Sequence, residues 1–292
     1  MLHKISTRLV YSADSLLKLR NSQGISPVLR ATLTSTGIIK LKRNCQYRHF
    51  YPRINAVNLK ATTSSQSLKR SSALPSLMLC NCRSIVNKFD DFELTVLSSK
   101  PDFALLSETW ISSNIPDATI SIDGYQFFRK DRICQAGGGV ALYYKETLDV
   151  SRRSDIEDDD TESIWIEHRF STPVLGYGKC IICSLYHPPN ADRFPFSNHL
   201  QNALEIVSSF CSTPLILIRG DFNRTSVPGL QSLKQIVSKP TRGGVTLDCV
   251  YTNLNCVYNN DRVVILPPIG NSDHNVVFVK PLNSHPQSVS ES

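Results

Sequence analysis

The sequence lacks any apolar run near the roughly 18 residues that would cross a membrane, although 41% of its 292 residues are hydrophobic. It also lacks the regular cysteine framework of a secreted disulfide-stapled domain, because its nine cysteines are irregularly spaced and several lie within apolar runs. The CxC pair Cys80/Cys82 and the CxxC pair Cys180/Cys183 have no partners at zinc-finger spacing. We interpret them as structural thiols and expect no membrane partner and a reducing intracellular compartment.

Acidic residues are nearly missing from the first quarter of the chain. Residues 1–75 contain thirteen Lys or Arg but one acid, Asp14, a net charge of +12, whereas residues 76–292 carry a net −5 and bring the total to +7. This leader is rich in Ser and Thr and lacks periodicity. We favour an unstructured leader without a specific role over a basic arm for nucleic acid or an organelle transit peptide. The polar tail, residues 283–292, is expected to be disordered.

A phosphate-binding loop is also absent. The glycines at 137–139 lack the following Lys and Ser/Thr of a P-loop, so we assign them to backbone flexibility or close packing. What the body has instead is a series of strand-like apolar runs that end in polar residues. The runs at 76–80 and 103–106 deliver Asn81 and Glu108, with a helix predicted at 85–98 between them. In open α/β sheets, such strand ends are where sites are built.

The segment PLILIRGDFNR at 214–224 shows the same pattern most clearly. An apolar strand is predicted at 215–218, followed by a break at Gly220 and then Asp221 and Asn223. On an extended segment, side chains at i and i+2 point to the same side, which suits holding a water or a phosphate oxygen beside a metal. A solvated turn is an equally good interpretation of this segment taken alone.

Three later segments extend the series. The run at 179–186 ends in Tyr186, and the two prolines that follow fix an extended exit. Asp248 lies inside an apolar strand-like run at 246–251, where an acid normally needs a partner. Ser272, Asp273 and His274 directly precede a last strand at 275–279. Each of these positions alone is weak evidence for a functional site, whereas their order over about 200 residues is strong evidence for one.

This series resembles the endonuclease/exonuclease/phosphatase superfamily and, more narrowly, the endonuclease domain of non-LTR retrotransposons. The likeness rests on NCRSIVNK, LLSETW, GGGVALYY, YHPPN, GDFN, LDCVYTN and the SDH close, and covers nearly all of residues 76–282. It implies the DNase I-like fold, an α/β four-layer sandwich in which two packed mixed β-sheets are flanked by helices.

The resemblance also implies roles for the series. Glu108, helped by Asn81, would hold Mg²⁺, with Mn²⁺ as the alternative. Asp221 would orient or deprotonate the attacking water, and Asn223 would hold that water in line. No nucleophile with an adjacent base is present in the sequence, so direct attack by water is favoured.

The remaining positions would handle the phosphate. His274 would contact it or transfer a proton, with Asp248 orienting the imidazole. Tyr186 would donate to a phosphate oxygen, and Asp273 would support the metal or the histidine. Further substrate-binding positions are predicted at Ser272, Arg83 and Thr241.

The function that follows is a Mg²⁺-dependent DNA endonuclease that contacts the phosphate backbone and nicks one strand, leaving a 3′ hydroxyl for target-primed reverse transcription. A reverse transcriptase is expected in the parent element, although nothing after residue 282 resembles one. Two alternatives stay open: a phosphodiesterase or phosphatase acting on abasic DNA, RNA or a phosphoinositide, and an inactive remnant that only binds. We expect a nuclear location, with mitochondrial targeting by the leader as the alternative.

Overall fold

Twelve strands form two six-stranded sheets in the computed structural model, which describes residues 73–133, 137–210 and 212–282. The strands are, in chain order, β1 (Leu77–Asn81), β2 (Phe103–Ser107), β3 (Tyr125–Lys130), β4 (Val140–Lys145), β5 (Asp149–Arg152), β6 (Glu162–Val174), β7 (Tyr177–Tyr186), β8 (Leu215–Asp221), β9 (Lys234–Gln235), β10 (Asp248–Thr252), β11 (Val263–Leu266) and β12 (Val276–Val279). The first sheet has the order β11-β12-β1-β2-β4-β3, and the second has the order β5-β6-β7-β8-β10-β9.

Two helices cover the outer faces of these sheets. They are α1 (Phe89–Ser99) and α2 (Arg193–Ser208). One apolar cluster joins residues of both sheets, including Leu79 and Leu217, and therefore lies between them. A second cluster packs α1 on the first sheet, and a third packs α2 on the second. The four-layer sandwich with two mixed sheets is thus confirmed.

Short 3₁₀ turns connect several of these elements. They lie at Val86–Lys88, Asp117–Thr119, Pro228–Leu230 and Asn260–Arg262. The helix predicted at 85–98 is therefore a 3₁₀ turn followed by α1. The apolar spacing at 200–210 predicts an amphipathic helix, and α2 begins earlier, at Arg193, because the Asp192 side chain accepts a hydrogen bond from Phe194 N and caps it. The alternation of apolar and polar residues at 163–170 predicts a half-buried strand. The strand is present as part of β6, but α2 covers its outer face, so β6 is buried on both faces over residues 163–168.

The ends of the chain bear on the predicted domain limits. Leu74 and Pro75 are buried, two residues ahead of the expected start of the folded body. The interpretations of residues 1–72 and of the tail at 283–292 lie outside the described residues.

The six cysteines that the structure describes are all free thiols, and four of them are buried. No helix in the described ranges is both long enough and apolar enough to cross a membrane.

One edge of the sandwich gathers the polar strand ends. β1 and β2 are parallel, as are β7 and β8, so their carboxyl ends lie at the same edge of each sheet. β12 runs antiparallel to β1 and β10 antiparallel to β8, which brings their amino ends to that edge. β8 continues through Gly220 instead of breaking there. A Cβ at Gly220 would lie 1.9 Å from the Leu185 carbonyl oxygen, so only glycine permits this close approach to β7.

Candidate active site

A buried histidine between two buried aspartates forms the centre of the site. The register of β8 and β10 places Asp221 opposite Asp248, and His274 enters from the segment that precedes β12. His274 Nδ1 lies 2.9 Å from Asp248 Oδ2, and His274 Nε2 lies 3.8 Å from Asp221 Oδ2. Because a carboxylate only accepts hydrogen bonds, Nδ1 donates to Asp248, and Nε2 is left facing Asp221. The partner expected for the acid within the strand is therefore His274.

Burial and charge shift the pKa values of this group. Burial by itself lowers the pKa of His274, but the hydrogen bond and charge of Asp248, together with the charge of Asp221, raise it above the ordinary value. Burial and then the charge of Asp248 raise the pKa of Asp221 to about 7. The site therefore holds groups that exchange protons near neutral pH.

The Asn81 side chain links this centre to Glu108. Asn81 Nδ2 donates to Glu108 Oε1 and to Asp221 Oδ2, both at 2.8 Å. The amide nitrogen must face these atoms because both are acceptors. The amide oxygen accepts from Arg83 N at 3.2 Å. Asn81 thus acts as a donor that holds carboxylates from the two sheets together, whereas we had expected it to help Glu108 hold the metal.

The donor set fits a divalent cation. One ligand atom each from Asp221, Asp248 and His274 lies within 4.8 Å of the others, and Glu108 lies beside Asp221 through the shared Asn81 amide. Carboxylate oxygens are the ligands that Mg²⁺ and Mn²⁺ prefer. Burial and the charge of Asp248 raise the pKa of Asp221, which shows that two ionised carboxylates here repel each other. A bound cation would relieve this repulsion.

Backbone strain is concentrated in the loops around this centre. Six of the eight non-glycine residues with positive φ in the described ranges lie in the three loops that follow β1, β2 and β8. They are Arg83, Ser84, Glu108, Trp110, Asn223 and Arg224. Such conformations are unfavourable for L-residues and persist where the surroundings impose them, which is common at functional sites. We therefore interpret these three loops as segments that position functional groups.

The backbone of Asn223 differs from the predicted extended conformation, and Tyr186 lies beside Asp221. Asn223 has φ 45°, so it does not share an extended segment with Asp221 as we had predicted. Its backbone N–H donates to Asp221 Oδ1 at 3.0 Å and its side-chain amide donates to the His187 carbonyl at 2.9 Å. Tyr186 ends β7 directly beside Asp221. Burial, then the charges of Glu108 and Asp221, raise the pKa of Tyr186, so its phenol keeps its proton for donation.

Two predicted substrate contacts are engaged inside the protein. Thr241 is fully buried, and its hydroxyl accepts from Leu247 N at 3.0 Å and from Asp248 N at 3.2 Å. The Thr241 side chain is buried and positions Asp248, and a substrate contact at Thr241 stays a prediction. The Ser272 hydroxyl donates to the Asn81 carbonyl at 2.7 Å and accepts from His274 N at 3.3 Å, so it ties two site segments together.

Asp273 bridges two arginines at the rim of the site. Its Oδ2 lies 3.3 Å from Arg83 Nη1 and 2.5 Å from Arg242 Nη2, and the arginine side chains are 47% and 42% exposed. Burial raises the pKa of Asp273, but the charges of Arg242 and Arg83 outweigh this and leave it below the ordinary value. The contacts that the structure shows for Asp273 are to these arginines, whereas we had expected it to support the metal or His274. Arg242 also opposes protonation of His274, which places its charge near the centre.

One neighbour of the site carries no role in the sequence-based prediction. Trp110 Nε1 donates to Glu108 Oε2 at 3.3 Å while the side chain remains 43% exposed. Its place in SETW, two residues after the predicted metal ligand, was the available signal. The exposure of Trp110 depends on the folded structure and could not be inferred from the sequence.

Comparison with known proteins identifies the wider family. The model of the endonuclease/exonuclease/phosphatase family matches residues 78–274, a range that contains every predicted site residue. No curated protein matches the chain.

Solved structures with the same fold include two endonucleases and a third catalytic domain. The endonuclease domain of TRAS1, a telomere-specific non-LTR retrotransposon, is 13% identical with a TM-score of 0.52, and the match covers 71% of this chain and 99% of that one. The AP endonuclease LMAP from Leishmania major is 13% identical with a TM-score of 0.53, covering 78% and 98%. The APE2 catalytic domain from Xenopus laevis is 15% identical with a TM-score of 0.52, covering 70% and 91%.

Proposed function

Because the chain belongs to the endonuclease/exonuclease/phosphatase family, we propose that it is a divalent-metal-dependent phosphodiesterase and, more narrowly, a DNA endonuclease. The observation that carries this proposal is the buried group of Asp221, Asp248 and His274, joined to Glu108 through Asn81. It combines a hydrogen-bonded histidine, an acid with a pKa near 7 and oxygen donors for a cation.

Two groups exchange protons in this mechanism. Asp221, buried beside His274 Nε2, accepts a proton from the attacking water. His274 is kept by Asp248 in the tautomer with Nδ1 protonated, so its Nε2 is free to hold or deliver a proton at the phosphate. The protonated phenol of Tyr186 donates to a phosphate oxygen. Asn223 braces Asp221 through its backbone N–H.

Glu108 would hold the cation, Mg²⁺ or Mn²⁺. When bound, the cation supplies positive charge against the scissile phosphate and the departing oxygen.

Support for DNA as the substrate comes from the rim and from the local sequence. Arg83 and Arg242 are partly exposed, both pair with Asp273, and their guanidinium groups are suited to contact backbone phosphates. These arginines place positive charge at the rim of the site although residues 76–292 carry a net negative charge. The motifs shared with non-LTR retrotransposon endonucleases and the likeness to the TRAS1 domain favour a single-strand nick that leaves a 3′ hydroxyl.

The test is nicking of supercoiled plasmid by the full chain with Mg²⁺ and with EDTA. His274→Ala and Glu108→Gln should abolish the nicked product, and EDTA should do the same. Glu205→Gln, which changes an exposed acid on α2, is the matched control and should cut normally.

The outcomes separate the alternatives. Cutting that persists in EDTA or in His274→Ala would refute the proposed mechanism. A protein that leaves plasmid intact but hydrolyses abasic DNA, RNA or a phosphoinositide would move the function to that substrate. A folded protein that binds DNA and hydrolyses none of them would be a binding module.

A further inference from the structure

Trp110 is an exposed aromatic side chain attached directly to the candidate active site. The chain has two tryptophans, and the other, Trp165, is fully buried in β6. The Trp110 side chain is 43% exposed although its indole N–H donates to Glu108 Oε2. An apolar ring is thus presented to solvent next to a carboxylate that would hold the cation.

The position of this ring is set by its surroundings. The backbone N–H of Trp110 donates to the Gly138 carbonyl at 2.9 Å, and its φ is 50°, in the left-handed region. Gly137 lies against the indole, since a Cβ added there would be 3.4 Å from Nε1. A large side chain anchored by its backbone, its indole N–H and a neighbouring glycine loses little freedom when a ligand covers it.

The surroundings also narrow the kind of ligand. Charged groups adjoin Trp110 among the described residues: its Nε1 donates to Glu108 Oε2, and a Cβ added at Gly137 would lie 3.4 Å from Trp110 Nε1 and 4.0 Å from Arg132 Nη1. The exposed arginines Arg83 and Arg242 lie within two residues of site positions, where they suit phosphates. A flat, partly apolar group that is attached to phosphates is a nucleobase.

We propose that Trp110 stacks on a nucleobase beside the scissile phosphate and that the preferred substrate carries an unpaired nucleotide there. Bases inside a duplex already stack on both faces, so an added aromatic ring needs a base that has left the stack. This inference rests on the proposed function and specifies its substrate as a strand with an unpaired base at the cut.

The test measures binding of two probes to the full chain in EDTA, so that neither probe is cut. The first is a twelve-nucleotide oligothymidylate, and the second is a strand of equal length and charge made of abasic sites. The first should quench tryptophan emission, which responds at Trp110 because Trp165 is buried. The second should quench it much less.

Substitutions then isolate the ring. Trp110→Leu should weaken binding of oligothymidylate about tenfold and leave binding of the abasic strand unchanged, as expected for the loss of one stacked base. Trp110→Phe keeps an aromatic ring without the indole N–H and should restore most of the affinity. Phe194→Leu, which removes an exposed aromatic on α2, is the control and should bind both probes normally.

Several outcomes would overturn the inference. Equal weakening of both probes by Trp110→Leu would show that the ring does not read a base, while phosphate binding and the proposed function would stand. If Trp110→Phe binds as poorly as Trp110→Leu, the contact with Glu108, and not stacking, carries the effect. Binding of neither probe by the wild-type chain would overturn nucleic acid as the substrate as well.

Discussion

Asp248→Asn changes the charge at the centre of the site while it preserves size and burial. Asp248 accepts a hydrogen bond from His274 Nδ1 at 2.9 Å, and its own backbone N–H is held by Thr241 Oγ1. The amide cannot supply negative charge to a protonated imidazole, and its NH₂ group can donate to Nδ1 and reverse the tautomer. We expect a folded protein with an impaired site.

The size of the effect follows from the contact that is lost. A hydrogen bond to a charged group contributes about 1.5–3 kcal/mol, or roughly ten- to 150-fold in rate. Reversal of the tautomer adds to this, since in the serine-protease triad the same substitution lowers turnover about 10⁴-fold. We therefore expect kcat to fall by at least about 100-fold.

A shift in the pH profile accompanies this loss. The charge of Asp248 helps to raise the pKa of Asp221 to about 7. Asp221 must be ionised to act as a base, so activity rises with pH as Asp221 loses its proton. Removal of the neighbouring charge lowers the pKa of Asp221, and the acidic limb of the profile should move to lower pH.

The assay is initial-rate nicking of plasmid in Mg²⁺ from pH 5 to 9, with thermal unfolding as the check on folding. Asp123→Asn, which neutralises an exposed acid before β3, is the control and should match the wild type. An Asp248→Asn enzyme within about threefold of wild-type activity, or one with an unmoved acidic limb, would refute the assigned role of this acid.

Three further predictions concern stability. The pKa of Asp221 is raised from about 4 in the unfolded chain to about 7, so the metal-free fold loses stability as pH rises from about 4 to about 7. A cation binds the ionised carboxylate, so the gain in Tm from Mn²⁺ should be larger at pH 8 than at pH 6, and equal gains would count against a cation beside Asp221. Gly220→Ala places a Cβ 1.9 Å from the Leu185 carbonyl oxygen and should destabilise the fold by about 3 kcal/mol or more in urea unfolding. Gly178→Ala, which meets nothing within 4 Å, should stay within about 0.5 kcal/mol, and similar losses in both variants would contradict the steric account. Arg219 is fully buried, its Nε and Nη2 are unpaired among the described residues, and burial lowers its pKa to about 9. Arg219→Met should therefore stabilise the fold by about 1–4 kcal/mol, and a destabilised variant would show that the guanidinium has a partner.

The strands were predictable because their signals are local. Apolar runs at 76–80, 103–106 and 215–218 correspond to β1, β2 and β8, and the polar residues Asn81, Glu108 and Asp221 that come after them lie at the edge that carries the site. The order of these residues also indicated the family and therefore the two-sheet architecture. The start of α2 was missed by seven residues, because capping by Asp192 outweighs a weak apolar pattern.

Contacts between distant residues were not predictable from local signals. Thr241 lies among turn residues, yet its hydroxyl is buried under Asp248. Asp273 stands next to His274 in sequence, but its carboxylate pairs with Arg83 and Arg242 from two other loops. Each of these outcomes depends on which loops meet, and a single chain carries no direct record of that.

The sequence by itself determined which residue types arrive at the strand ends and in what order, because alternation and apolar runs decide where strands start and stop. Only the tertiary structure decided their chemistry. Asn81 and Asp221 are 140 residues apart and come from different sheets, yet one amide hydrogen bond of 2.8 Å joins them. The pKa of Asp221 depends on burial between the sheets and on Asp248 in the opposite register position. Distance and burial set electrostatic energies, and both come from the packing of the two sheets.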